Sequence, residues 1–273
     1  MACNHNCSSC GDKNCNERKD FSLTAKESTS FKKMYAVVSG KGGVGKSLVT
    51  SLLAVASNNA GLKTAVIDAD ITGPSIPKSF GLGKNDRAQG SDDGLFPVLT
   101  KGGIKVMSMN LLLEEETMPV VWRGPVISGV VKQFYTDVLW GENDIAFIDM
   151  PPGTGDVPLT VFQSLPINGI IIVTTPQDLV GMIVEKAVNM ARLMNIPVIG
   201  LVENMSYVSC PKCNEKIYLF GKGKTAEKAK ELNLNLLAEL PIDLKTRELV
   251  DAGEVEKVDV SAFKDIINTL KGE

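Results

Sequence analysis

The sequence has no apolar run of about 18 residues or more, so no segment reads as a membrane-crossing helix. A large excess of either sign of charge is also lacking. The net charge is −3 with histidine neutral, too little for an overall electrostatic footprint for nucleic acid, although local patches are compatible with it. The first residues carry Cys and Asn where a signal peptide needs its apolar segment, so a cytoplasmic location without a membrane partner is expected. In that reducing setting the six cysteines point away from disulfides and towards metal or redox chemistry. The chain has one histidine, His5; a lone histidine among polar residues is ordinarily solvated, and it is left out of the ligand set. With 44% hydrophobic and 22% charged residues, 273 residues suit one large α/β domain with appendages, although the length would allow two domains.

The most informative stretch is Gly40 Lys41 Gly42 Gly43 Val44 Gly45 Lys46 Ser47, a GxxxxGK[ST] loop directly after the apolar run Tyr35 to Ser39. Glycines let backbone N–H groups converge on a polyphosphate, Lys46 supplies a charge for the β and γ oxygens, and Ser47 a hydroxyl for Mg²⁺. A helix starting near Lys46 directs its positive end at the anion, with Leu48 in its first turn. Gly40, Lys41, Gly42, Gly43, Val44, Gly45, Lys46, Ser47 and Leu48 are therefore the candidate nucleotide contacts.

Around this loop, short β-branched runs alternate with amphipathic stretches, the pattern of βα units wound into a mostly parallel sheet with helices on both faces. Strands are expected at 34–39, 63–68, 104–109, 144–149, 169–174, 197–202 and 236–240. Helices are expected at 46–60, 125–140, 157–165, 179–193, 223–232, 243–252 and 260–271. Residues 1–30 form a polar, cysteine-rich leader, disordered or ordered by metal, ahead of the domain over 31–273. Residues 75–103 read as a long surface excursion, and 204–222 as an insert that breaks the rhythm.

Acidic residues fall where such a site needs them. Asp68 and Asp70 follow the second strand, where a carboxylate can orient an attacking water or hold Mg²⁺. Asp149 ends the apolar run Ile145 to Ile148, a Walker B pattern that holds Mg²⁺ usually through a water. Pro152 and Gly153 begin a flexible turn suited to a switch near the γ-phosphate. Asn204 offers an amide that can both donate and accept, or simply form a turn, and Pro241 follows the last strand.

The cysteines fall into two groups. Cys210 and Cys213 form CPxC, whose two thiolates cannot complete a tetrahedral site or a four-ligand cluster, whereas two copies across a symmetric dimer would. A zinc-held hairpin or a redox pair is also a chemically sound reading of these two residues. Cys3, Cys7, Cys10 and Cys15 could hold a [4Fe–4S] cluster or one zinc.

Lys41-Gly-Gly-Val-Gly-Lys-Ser resembles the deviant Walker A form of the family containing MinD, ParA, the nitrogenase iron protein and the Mrp/ApbC-like ATPases. Asp149-Met-Pro-Pro-Gly-Thr-Gly-Asp156 and Trp122-Arg-Gly-Pro125 resemble the Mrp/ApbC branch, and the likeness runs over about 31–270. The resemblance implies a P-loop NTPase fold of the SIMIBI type. It also implies that Lys41 reaches the partner's nucleotide in a homodimer, Asp70 positions the hydrolytic water, Asp68 supports Mg²⁺ or the loop, and Asn204 and Pro241 flank adenine. For Cys210 and Cys213 it implies a labile [4Fe–4S] cluster bridging two subunits, and some members carry an N-terminal four-cysteine cluster with a wider first gap than here. The expected function is a slow ATPase that carries iron–sulfur clusters, with apo iron–sulfur proteins and assembly factors as partners. The alternatives are a MinD/ParA-type positioning ATPase or an ATP-gated electron-transfer protein. MinD would need a basic amphipathic end, whereas 260–271 has apolar residues at helical spacing with little basic charge.

Overall fold

The structure is a computed structural model that describes residues 23–71, 73–113, 122, 124–177 and 180–272. The leader cysteines Cys3, Cys7, Cys10 and Cys15 lie outside the described residues, as does Arg123.

The described chain runs β1 (Ser30–Val38), α1 (Lys46–Asn59), β2 (Thr64–Asp68), α2 (Ile76–Ser79), β3 (Gly90–Ser91), β4 (Gly94–Leu95), β5 (Val98–Leu99) and β6 (Lys105–Met107). It continues α3 (Gly124–Thr136), β7 (Glu142–Asp149), α4 (Asp156–Ser164), β8 (Gly169–Thr174), α5 (Val180–Leu193) and β9 (Val198–Ser209). It closes with β10 (Lys216–Ile217), α6 (Thr225–Glu231), β11 (Leu236–Pro241), α7 (Leu244–Asp251) and α8 (Lys264–Lys271).

Among the described residues nine strands form the main sheet in the order β10-β9-β8-β1-β7-β2-β6-β5, with β11 also paired to β9. All pairings are parallel except those of β5 with β6 and β10 with β9. This is the expected α/β P-loop architecture.

Parallel strands covered on both faces must be apolar throughout, and β2 and β8 are buried at every position. Along β1 the faces alternate. Met34, Ala36 and Val38 join the cluster under α3, α4 and α5, while Tyr35 and Val37 join the one under α1 and α8. Each fully buried side chain such as Leu53 or Phe147 contributes about 1.5–3 kcal/mol of transfer free energy. The last helix belongs to this core: Ile266, Ile267 and Leu270 are buried, and the Tyr35 hydroxyl donates to the Leu270 carbonyl at 2.8 Å.

The seven expected strands are all present, and the differences lie in the bounds of some elements and in the segments between them. The 75–103 segment is not only a surface excursion, because it contains the buried Ile76 and Phe80 of the α2 turn. The Ser79 hydroxyl lies 3.1 Å from that of Ser51 on α1. The helix expected over 125–140 stops at Thr136, because Val138 bridges to Leu95 and Trp140 turns into the core, its indole N–H bonded to the Phe134 carbonyl. Over 260–271, a 3-10 turn at Ser261–Phe263 precedes α8. The largest difference is β9, which runs through Asn204 to Ser209 instead of ending near 202.

Candidate nucleotide site and cysteine hairpin

The loop between β1 and α1 borders a cleft of about 330 Å³ at the carboxyl ends of the strands, lined by Gly42 to Leu48 with Ser39, Asp70, Pro152 and Val250. Gly40 occupies the loop's first bend. Gly45 caps α1 with φ +79, a conformation that penalises a side chain, and a Cβ there would sit 2.2 Å from Asn204 Nδ2. The helix therefore begins at Lys46 with its first N–H groups facing the cleft. Gly153, on the opposite wall with φ +90, donates its N–H to the Ser39 carbonyl at 2.8 Å and so ties the turn after β7 to the loop.

Below the cleft, acidic groups surround one buried ammonium. Lys46 Nζ, on a residue 6% exposed, lies 2.8 Å from Asp149 Oδ1 and 3.7 Å from Asp70 Oδ2. Asp149 is fully buried. It also accepts from the Ser47 hydroxyl at 2.5 Å and the Thr50 hydroxyl at 2.8 Å. Asp68 stands beside Asp149 in register on the neighbouring strand, accepting from Ser108 Oγ at 3.0 Å and from the Asp70 N–H at 3.2 Å. Burial, then the charge of Asp149, pushes the Asp68 carboxyl well above the usual carboxylate range, against the opposing pull of Lys46 and Ser108. Asp149 and Asp70 flank one lysine, and the Ser47 hydroxyl on Asp149 adds a further hard oxygen donor. That chemistry fits Mg²⁺ at Ser47 and Asp149.

The remaining predicted residues are placed less uniformly. Asn204 is buried against the loop, where its Nδ2 donates to the Val44 carbonyl at 2.9 Å, so one amide proton is already used to hold the loop. It also lines an adjoining cavity of about 320 Å³ with Leu48, Tyr207 and Pro241, next to α1. Lys41 turns from the cleft to the Gln177 side-chain oxygen after β8.

Cys210 and Cys213 lie away from this cluster, at the tip of a hairpin formed by β9 and β10. The Cys210 N–H donates to the Glu215 carbonyl and the Asn214 N–H to the Cys210 carbonyl, both at 2.9 Å, with Asn214 at φ +59 closing the turn. The Cys210 sulfur accepts backbone N–H bonds from Lys212 and Cys213 and a bond from the Cys213 thiol, which together hold its thiol below the usual range. Donors aimed at a sulfur favour the thiolate that a metal needs. Among the described residues no group of three or more His, Cys, Asp or Glu side chains could hold a metal ion, and Cys210 and Cys213 are two thiols where a tetrahedral metal site takes four ligands.

A family model described as ParA, NUBPL iron-transfer P-loop NTPase matches residues 30–271. The chain belongs to this family. Nucleotide hydrolysis is the general chemistry of such NTPases. Two iron-sulfur cluster carrier proteins are among its relatives. That of Methanocaldococcus jannaschii is 46% identical over 258 residues, covering 92% of this chain and 89% of the relative. That of Clostridium perfringens is 46% identical over 266 residues, covering 92% and 93%. A nucleotide-binding protein from Archaeoglobus fulgidus, solved in complex with ADP, superposes with a TM-score of 0.76 at 46% identity, covering 86% of this chain and 91% of that one. MinD in the MinC:MinD complex of Aquifex aeolicus has a TM-score of 0.63 at 19% identity over 88% of this chain and 96% of that one, a likeness of fold alone.

Within this iron-transfer family member, sequence reasoning missed Thr50, Ser108, Glu203 and Ser206. Thr50 left a signal, since it lies four residues after Lys46 on the same helix face. Ser108 meets Asp68 only through the pairing of β6 with β2. Glu203 and Ser206 were hidden by the expectation that the strand ends before them.

Proposed function

We propose that this chain is an ATP-hydrolysing, homodimeric carrier that holds a [4Fe–4S] cluster between subunits and delivers it to apo-proteins in the cytoplasm. One observation carries the reading. A single strand, β9, braces the phosphate loop through Asn204 and ends at a two-thiol hairpin that supplies only half a cluster's ligands. A second copy would supply the other half.

In this reading Gly40 to Leu48 cradle the phosphates, and Lys46 gives up part of its pairing with Asp149 to meet the β and γ oxygens. Asp70, at the cleft wall, orients a water whose oxygen attacks the γ-phosphorus; the bond to the bridging oxygen breaks, leaving ADP and phosphate. Mg²⁺, when bound, supplies charge neutralisation on those oxygens, with Ser47 and Asp149 to hold it and Asp68 behind them. Lys41 exchanges Gln177 for the partner's nucleotide, and Pro152 and Gly153 respond to the γ-phosphate. Asn204 and Pro241 border the base. The apolar face of α8 is already buried, which argues against a membrane-binding role for that helix. In the same reading the leader over 1–30, with Cys3, Cys7, Cys10 and Cys15, is a metal-binding ([4Fe–4S] or zinc) or disordered segment that precedes the ATPase domain over 31–273 in the sequence, whose cysteine insert lies near 204–222.

Anaerobic reconstitution followed by iron, sulfide and transfer assays tests this. The expected result is a dimer-bridging cluster that passes to an apo-protein and is lost in the Cys210→Ala, Cys213→Ala double variant. Unchanged cluster binding and transfer in that variant would overturn the reading.

A further inference from the structure

β9 does not run evenly from the cleft to the cysteines. Its pairing with β11 steps from Glu203 opposite Glu239 to Tyr207 opposite Pro241, so Asn204, Met205 and Ser206 face the single residue Leu240. This is a bulge, and its centre is backbone that a methionine rarely adopts: Met205 has φ +58. Both sides of the bulge are tied down. On the loop side Asn204 Nδ2 holds the Val44 carbonyl, and the Met205 methyl lies 3.8 Å from where a Gly45 Cβ would be. On the hairpin side the Ser206 hydroxyl donates at 2.6 Å to Oε1 of Glu203, a carboxyl only 2% exposed. Oε2 of Glu203 lies 2.5 Å from where a Cβ of Gly223 would stand, in the segment returning from the hairpin. Cys210 follows the bulge at five residues, about 16 Å along an extended strand.

We infer that Met205 and Ser206, with the Glu203 carboxyl as brace, are positioning residues that carry the state of the phosphate loop to the Cys210–Cys213 pair within one chain. The inference rests on the reading that nucleotide fills the loop and that these two thiols hold the cargo. A loop that closes on phosphate moves Val44 and Gly45, and Asn204 is fastened to the first and packed under the second. The bulge converts that movement into a shift of the last strand residues, because an unpaired three-residue arc can change its dihedrals without breaking the flanking ladder. The Ser206–Glu203 bond limits the arc to a small number of shapes, so the tip responds as a unit. A regular strand in the same place would hold the cysteines at a fixed position whatever the loop did.

The test is peptide-resolved alkylation of Cys210 and Cys213 by iodoacetamide in the full-length chain, with and without a non-hydrolysable ATP analogue and Mg²⁺. Wild type is expected to change its alkylation rate by about threefold or more on binding the analogue. Met205→Gly suits the positive φ and frees the arc; it should bind the analogue within about twofold of wild type yet lose the change. Ser206→Ala should lose it as well, and Ser206→Thr, which restores a hydroxyl, should regain it. A merely structural role would alter stability in these variants and leave the nucleotide response intact. A full response in both Met205→Gly and Ser206→Ala overturns the inference, as does a wild type that binds the analogue with no change at the cysteines. If the analogue does not bind at all, the nucleotide reading falls first and the inference with it. If Met205→Gly does not fold, the Ser206 pair decides alone.

Discussion

The phosphate loop and the cysteine hairpin are built in opposite ways. Around Lys46, two carboxylates and two hydroxyls meet within hydrogen-bond or ion-pair reach in a nearly dry pocket, and the backbone is locked by glycines at positive φ. Around Cys213 the chain is exposed, β10 has two residues, and the turn is closed by its own N–H groups. The first region draws its groups from one chain; the second, in the function proposed above, is completed by a partner. A prebuilt site puts its binding energy into the transition state, whereas a half-built one can release what it holds.

The sharpest way to break that contrast is Lys46→Met. It leaves buried Asp149 without its ammonium, so hydrolysis should fall on the order of a thousandfold and stability by about 3 kcal/mol. Phosphate-release and urea-unfolding measurements read the two effects. The hairpin should not notice, and alkylation of Cys210 without nucleotide should be unchanged. A variant that hydrolyses at the wild-type rate would remove the lysine from the site.

Gly45→Ala comes next. Positive φ and the missing space beside Asn204 should cost about 2 kcal/mol in thermal or urea unfolding. Its counterpart in the hairpin, Asn214→Gly at φ +59, should stay within about 0.5 kcal/mol of wild type. Equal penalties at both positions would erase the distinction between a locked and an open region.

Asp68→Asn probes the buried acid cluster through pH. Because burial and Asp149 raise the folded-state pKa of Asp68, the folded chain binds this proton more tightly than the unfolded one. Stability from this group therefore falls as pH rises from the unfolded value, about 3.9, through the raised folded value, and stays lowered above it. Unfolding measured at pH 5 and pH 8 should show a smaller loss of stability on going to the higher pH in the Asn variant than in wild type. A larger loss than wild type would reverse the assignment. The smallest effect belongs to Cys210→Ala with Cys213→Ala, which without metal should shift unfolding by less than about 0.5 kcal/mol because the pair packs against little.

The same contrast explains what is legible in the sequence. The loop, Asp68, Asp70 and Asp149 stand at strand ends, where a local pattern of apolar run followed by glycine or aspartate is enough, and the seven principal strands follow from β-branched runs. Asn204 is harder to read because its partner, Val44, is 160 residues away and the bond exists only after β9 is seated beside β8. The bulge at Met205 leaves no compositional mark, since it is a mismatch between two strands and belongs to neither alone. Likewise α2 is hidden in a Gly- and Lys-rich stretch, because Ile76 and Phe80 become core residues only when α1 covers them.

The hydrogen bond from Tyr35 to the Leu270 carbonyl spans 235 residues of chain. During synthesis, β1 and the phosphate loop therefore leave the ribosome long before the helix that closes their face of the sheet, and Asn204 and Pro241 also arrive late. The groups proposed to border the base come late, and the part of the β1 face that α8 covers stays open until residues 264–271 have been made, although α1 covers the rest early.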